Sequence, residues 1–164
     1  MVWKAFKDVT LLRTVKRLVY AYSAAVVFGN NCGAIIYCKG VSMLPTMQEG
    51  DIIFAERLSV AMRCLHRNDI VCLRPPNNSG ITVCKRLSHK EMDIVTHENE
   101  QLLIPPGHCY VLGDNIEMSM DSREYGAIPL ALVDDRVVLR FWPPKRFGWL
   151  STHAFYRPEE EESL

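Results

Sequence analysis

After residue 39 the chain is cut into short apolar runs, Asp51–Ala55, Asp69–Leu73, Ile81–Leu87, His108–Leu112 and Arg136–Trp142, each bounded by turn-forming residues. Runs of five to seven residues are too short for helices that bury a stripe, and their Val, Ile and aromatic content suits the pleated surface of a sheet. Between the second and third runs stand Pro75, Pro76, Asn77, Asn78, Ser79 and Gly80, a turn-rich connection that predicts a hairpin with a long loop. The expected fold is therefore mainly β and antiparallel over residues 39–150. No internal repeat is present, and residues 151–164, with Glu159–Glu162, read as a polar acidic tail.

Residues 1–38 follow a different pattern. Leu11, Leu12, Val15, Leu18, Val19 and Tyr22 recur at helical spacing, and Leu18–Phe28 is almost wholly apolar. Eleven such residues fall short of the roughly 20 that span a bilayer, and an extension to Cys38 must absorb Gly29, Asn30, Asn31 and Gly33. The reading is a basic flank followed by a membrane-anchoring helix. A signal peptide and an amphipathic core helix are the alternatives. Charge supports the division: the chain has 19 basic and 19 acidic residues, yet residues 1–38 hold Lys4, Lys7, Arg13, Lys16 and Arg17 against Asp8 alone. The amino-terminal part thus carries +4 and the remainder −4. With 48% hydrophobic residues and no basic surplus, neither a disordered chain nor a nucleic-acid-binding domain is expected. Six cysteines without a C-x-x-C pair make neither a disulfide scaffold nor a zinc ribbon, so all six are read as buried thiols. The histidines show no ligand spacing, and no metal or cofactor is expected.

The run Ile81–Leu87 carries a lysine where alternation places an apolar side chain. In a strand, Ile81, Val83, Lys85 and Leu87 share one face, while Thr82, Cys84 and Arg86 share the other. Lys85 thus points with the apolar set, where loss of water disfavours its ammonium form. To act as a base near neutral pH its pKa must fall by roughly 3 units, about 4 kcal/mol. Snorkelling to the rim or pairing with a carboxylate is the competing fate.

Three further segments give Lys85 a context. Gly40-Val41-Ser42-Met43-Leu44-Pro45-Thr46 sets a serine between a glycine and a proline, with large apolar residues directly after it. Gly50-Asp51 follows, then Lys85-Arg86, and then Gly113-Asp114-Asn115 through Ser119, Asp121-Ser122-Arg123 and Gly126. This ordered set, from about Cys38 to Leu150, resembles the type I signal peptidase family of Ser/Lys proteases. Within that family, Asp51–Ser59, Cys84–Arg86, Leu112–Asn115 and Tyr125–Pro129 are most similar to the mitochondrial inner membrane branch, and Asn115 and Arg123 follow its first subunit type.

What the resemblance implies is a signal-peptidase-like (LexA/signal peptidase) β fold behind an amino-terminal anchor. Ser42 would be the nucleophile and Lys85 the general base, with the Ser119 hydroxyl holding Lys85. Asp121 and Arg123 would support the Ser119 loop as an ion pair. The Ser42 backbone N–H would be one oxyanion donor. Gly40 stands where some bacterial members supply a serine hydroxyl, so the second donor is unassigned. A second departure follows the lysine: Leu87–Asp93 lacks both glycines usual at that hairpin, which predicts a different turn. The resemblance further implies presequence-bearing protein substrates bound as an extended strand, with small residues at the first and third positions before the cut. It implies contact with inner membrane lipid, a heterodimer with a second protease subunit, and a catalytic domain facing the mitochondrial intermembrane space.

Other readings compete. A self-cleaving Ser/Lys repressor would need a DNA-binding module and an Ala-Gly cleavage pair, and this sequence has neither. A non-catalytic scaffold of the same fold and a secretory-type signal peptidase are the remaining alternatives. Met43 and Leu44 are either core or an apolar lip for substrate. Phe141, Trp142, Phe147 and Trp149 are expected in the core, with a membrane-facing belt as the alternative.

Overall fold

The computed structural model describes residues 13–23, 26, 32–78, 80–97 and 100–150. The chain divides into two units, Met1–Cys32 and Gly33–Leu164. In the first, residues 13–23 are helical and expose Leu18, Val19 and Tyr22. No helix among the described residues is long and apolar enough to cross a membrane. Much of the expected anchor, and all of the acidic tail 151–164, lies outside the described residues.

The second unit is built on an eight-stranded sheet. Its strands are β1 (Gly33–Tyr37), β2 (Ile52–Glu56), β3 (Ile70–Leu73), β4 (Val83–His89), β7 (His108–Leu112), β8 (Ile128–Pro129), β9 (Val133–Trp142) and β10 (Gly148–Trp149), in the order β1-β2-β9-β3-β4-β7-β8 with β10 on β9. A separate hairpin pairs β5 (Ile94–His97) with β6 (Glu100–Leu103). Every pairing is antiparallel. The five expected strands are thus present, and β3 and β4 form the expected hairpin. The apolar stretch that ends at Cys38 is not one helix, because Gly33–Tyr37 pairs with β2 as the edge strand of the sheet.

Alternation on β3 explains how one sheet serves two cores. All four of its residues are buried, as expected of a strand covered on both faces. Ile70 and Cys72 join Cys38, Met43, Met47, Ile53, Ala55 and Val137 on one side. Val71 and Leu73 join Leu65, Leu87, Cys109, Val111, Ile128 and Val133 on the other. Met43 is therefore core, which ties the residue after Ser42 to the sheet, whereas Leu44 is half-buried.

Two expectations need correction. Cys64 is exposed and Cys32 and Cys84 are half-buried, so only Cys38, Cys72 and Cys109 are buried thiols. Trp142, Phe147 and Trp149 lie outside the core at 51%, 63% and 67% exposure; Trp142 ends β9, Phe147 stands between the strands and Trp149 ends the two-residue strand β10, where side chains have no covering layer. In the turn that follows β4, Met92 takes the left-handed conformation at φ 67°. Asp93 holds that turn by accepting from the Lys90 amide (2.6 Å) and from Arg67.

Candidate active site

Lys85 lies on β4 opposite Val71 of β3 and is 3% exposed. Its strand neighbour on the same face, Leu87, is fully buried, as the alternation requires. The ammonium does not snorkel. Nζ donates to Ser119 Oγ at 2.7 Å, and Ser119 Oγ donates to Asp121 Oδ2 at 2.7 Å. Asp121 is wholly buried and accepts further bonds from the Gly113 amide (2.8 Å) and from Arg123 Nε and Nη2 (2.8 and 2.7 Å). It also caps the one-turn helix α2, Ser122–Tyr125, which follows the earlier turn α1, Leu58–Ala61; the cap is a bond from the Arg123 amide.

The electrostatics of this relay follow from burial and pairing. Loss of water pushes the Asp121 carboxyl up, but Arg123, the Gly113 amide and Ser119 outweigh it and hold the carboxyl down at about 2. Asp121 is thus an anion across the whole physiological range. Burial pushes the Lys85 amine down, while the Asp121 charge pushes it up and the Arg123 charge pushes it down again; the net direction is down. The arrangement also fixes proton positions. Because the one Ser119 proton goes to Asp121, Ser119 can only accept from Lys85, so one N–H of the amine is committed to Ser119. A neutral Lys85 then keeps its lone pair for another partner.

Ser42 sits in the turn that joins β1 to β2, with Gly40 ahead of it at φ +90°. The Asn115 amide donates to the Ser42 carbonyl (3.0 Å), and Asn115 Nδ2 donates to the Val41 carbonyl (3.1 Å). Neither bond uses the Ser42 hydroxyl or amide. Segment 113–115 is therefore a strap: Gly113 binds Asp121 at one end and Asn115 binds the Ser42 turn at the other. A second brace runs through Arg86, on the face of β4 opposite Lys85. It grips Asp114 through Nε (2.7 Å) and Nη2 (2.6 Å), and Asp114 in turn accepts from Thr46 Oγ1.

A backbone this close explains why residue 113 has no side chain. A Cβ there would lie 2.0 Å from Ser119 Oγ and 2.6 Å from the Ser42 carbonyl oxygen. Gly113→Ala is therefore expected to push the Ser42 turn and Ser119 apart, at a cost of about 1–3 kcal/mol from overpacking. Thermal denaturation beside a peptide-cleavage assay checks this; a variant with unchanged midpoint and rate would show that the strap is slack.

A cavity of about 100 Å³ opens beside Ser42, walled by Ile36, Tyr37 and Cys38 on one side and Thr82, Val83 and Cys84 on the other, with Met43 and Met47 at its apolar base. Ile36, Tyr37 and Thr82 also line a broader groove of about 940 Å³ that follows β1 past Ala34 and Ile35 toward Arg57 and Arg74. Strand β1 is the sheet edge beside this groove, and its Ile35 and Tyr37 are 71% and 55% exposed.

Of the residues singled out from sequence, Lys85, Ser119, Asp121 and Arg123 form one hydrogen-bonded chain, and Ser42 is strapped to the same segment. Sequence reasoning gave no role to Thr46, Arg86, Gly113, Asp114 or Asn115. Arg86 carried a usable signal, since a guanidinium beside a buried lysine, on the opposite strand face, calls for its own carboxylate. Asp114 supplies it.

Comparison with known proteins is consistent with this geometry. The family model described as "Signal peptidase, peptidase S26" matches residues 11–104 and 87–142. The human protein "Mitochondrial inner membrane protease subunit 1" is 39% identical over 124 residues, covering 72% of this chain and 75% of that protein. "Mitochondrial ATP-independent inner membrane protease subunit 1a" of Arabidopsis thaliana is 32% identical over 90% of this chain and 89% of its own length. The mouse "Mitochondrial inner membrane protease subunit 2" is 30% identical over 88% of this chain and 86% of its own.

Proposed function

The chain belongs to the signal peptidase family, peptidase S26, and from that premise we propose that it is a Ser/Lys endopeptidase of the mitochondrial inner membrane that removes sorting presequences. The observation that carries the dyad is the buried Lys85 amine, pinned by a Ser119–Asp121–Arg123 relay whose Gly113–Asn115 strap also holds the Ser42 turn.

The chemistry runs as follows. Neutral Lys85 takes the Ser42 hydroxyl proton as Oγ attacks the scissile carbonyl. The oxyanion is met by the Ser42 amide, which the strap leaves unengaged. Lys85, now protonated, gives its proton to the leaving amine and an acyl-enzyme remains. Lys85 then activates the water that hydrolyses the ester. Asp121 does not shuttle protons: held down at about 2, it keeps Ser119 oriented and stays charged.

Substrate binding is assigned to the groove along β1. A peptide laid against the sheet edge gains main-chain hydrogen bonds, and the roughly 100 Å³ cavity beside Ser42 receives a small side chain next to the cut. The amino-terminal segment anchors the chain with its basic flank in the matrix, which places the catalytic domain in the intermembrane space. Exposed Trp142, Phe147 and Trp149 face lipid in this reading, and the partner is a second subunit of the kind named among the relatives.

The test is incubation of the full chain in lipid with a precursor bearing a bipartite presequence, with and without the second subunit, followed by sequencing of the new amino terminus. A single cut at the presequence boundary is expected; an intact precursor in both mixtures overturns the reading. Placement has its own check. Alkaline carbonate extraction of mitochondria should leave the protein in the membrane pellet, and recovery in the supernatant removes the anchor.

A further inference from the structure

One pair of side chains near the site has no part in the relay. Cys72 of β3 and Cys84 of β4 are directly opposite in the antiparallel register, and their Sγ atoms are 3.3 Å apart. Residues so placed have Cα atoms about 4.5–5.5 Å apart, inside the range a disulfide spans. Cys72 is wholly buried between the two strands, whereas Cys84 is half-buried and forms part of the wall of the cavity beside Ser42. Cys84 also immediately precedes Lys85 on the same strand.

We propose that Cys72 and Cys84 are a reversible dithiol that closes to a cross-strand disulfide and thereby couples the site at Ser42 and Lys85 to thiol oxidants. The oxidant is a low-molecular-weight disulfide that meets the half-buried Cys84 from the open side of the cavity. The Cys84 thiolate attacks one of its sulfurs, forming a mixed disulfide and releasing one small thiolate. Cys72 then attacks the Cys84 sulfur from its place at 3.3 Å; the second small thiol leaves with the Cys72 proton. Two protein thiols are oxidised and one small disulfide is reduced to two thiols. The hydrogen bond from Cys72 stabilises the Cys84 thiolate and, with the Lys85 charge, outweighs the opposing push of burial, so the Cys84 pKa is lowered and Cys72 retains the proton.

Closure has a geometric consequence. The sulfurs must approach from 3.3 Å to about 2.05 Å. Cys72 is locked in the core, so the movement falls on Cys84, the strand neighbour of Lys85. The cavity wall draws back and the amine shifts against Ser119. A displacement of that order is expected to reduce cleavage about tenfold or more.

The coupling to activity rests on the protease reading; the disulfide does not. The experiment incubates the full chain in lipid with oxidised glutathione at rising ratio to its thiol form, blocks remaining thiols, and maps cysteine-linked peptides by mass spectrometry without reduction. Presequence cleavage is followed in parallel. The expected result is a Cys72–Cys84 linked peptide whose yield tracks an approximately tenfold loss of cleavage, both reversed by dithiothreitol. Cys72→Ala should cleave at the normal rate under reducing conditions and hold glutathione on Cys84 instead of a bridge. Recovery of both cysteines as blocked thiols, or a bridge from Cys84 to Cys38, overturns the proposed disulfide. A bridge that forms with cleavage unchanged overturns the coupling. Absence of cleavage in both redox states sinks the protease reading and the coupling together, while the peptide map still decides the disulfide.

Discussion

Replacement of Ser42 by alanine is expected to abolish presequence cleavage, with a loss of about 10⁴-fold or more, and to leave the fold intact. The magnitude follows from removing the attacking atom, after which only binding and oxyanion donors act on the peptide bond. The fold should survive because the turn is held by groups the substitution spares: the Ser42 and Val41 carbonyls on Asn115, and the buried Met43 and Met47 side chains. The measurement is single-turnover cleavage of a presequence substrate beside a thermal melt of each protein. Residual cleavage within about tenfold of the parent would assign the nucleophile elsewhere and return the chain to the scaffold reading.

Lys85→Met should lose activity to a similar degree, for a different reason. Methionine fills a comparable volume on the buried face of β4 but cannot accept the Ser42 proton. Its effect on stability separates catalysis from folding. The folded-state pKa of Lys85 lies below its ordinary value of 10.5, so burial penalises the charged form. That penalty is fully present below the folded pKa and disappears as pH rises to the unfolded value. At neutral pH the methionine variant is therefore expected to melt no lower than the parent, although Ser119 loses a donor. The parent enzyme's kcat/KM should rise with pH and level off below 10.5, as the base loses its proton. A parent profile flat across this range, or a methionine variant that still cleaves, would remove Lys85 from the base position.

The strand pattern was legible because it is local. Alternation on β4 follows from backbone geometry alone, and it placed Lys85 with Leu87 before any partner was known. The strands missed from sequence lacked such a local signal. Gly33–Tyr37 continues an apolar stretch with helical spacing upstream, and only its pairing to β2 makes it a strand. Strands β5 and β6 are a small hairpin outside the main sheet; β6 is exposed throughout, so it shows no buried alternation. Trp142, Phe147 and Trp149 are expected in the core as large apolar side chains, and residue type alone does not tell which of them a covering layer reaches.

Sequence by itself determined the β class, the hairpin between β3 and β4, the burial of Lys85, and an ordered set of motif residues whose family the comparisons then showed. Tertiary structure alone decided how those residues act on one another. The Lys85–Ser119 bond joins positions 34 apart in the chain, Arg86 reaches Asp114 across 28, and Thr46 reaches Asp114 across 68. Nothing in local periodicity specifies such contacts, because they depend on strand register and on how closely the Gly113 backbone lets the Ser42 turn approach. The same holds for the sulfur pair: two cysteines twelve residues apart, read from sequence only as buried thiols, meet because the β3–β4 register sets them opposite each other.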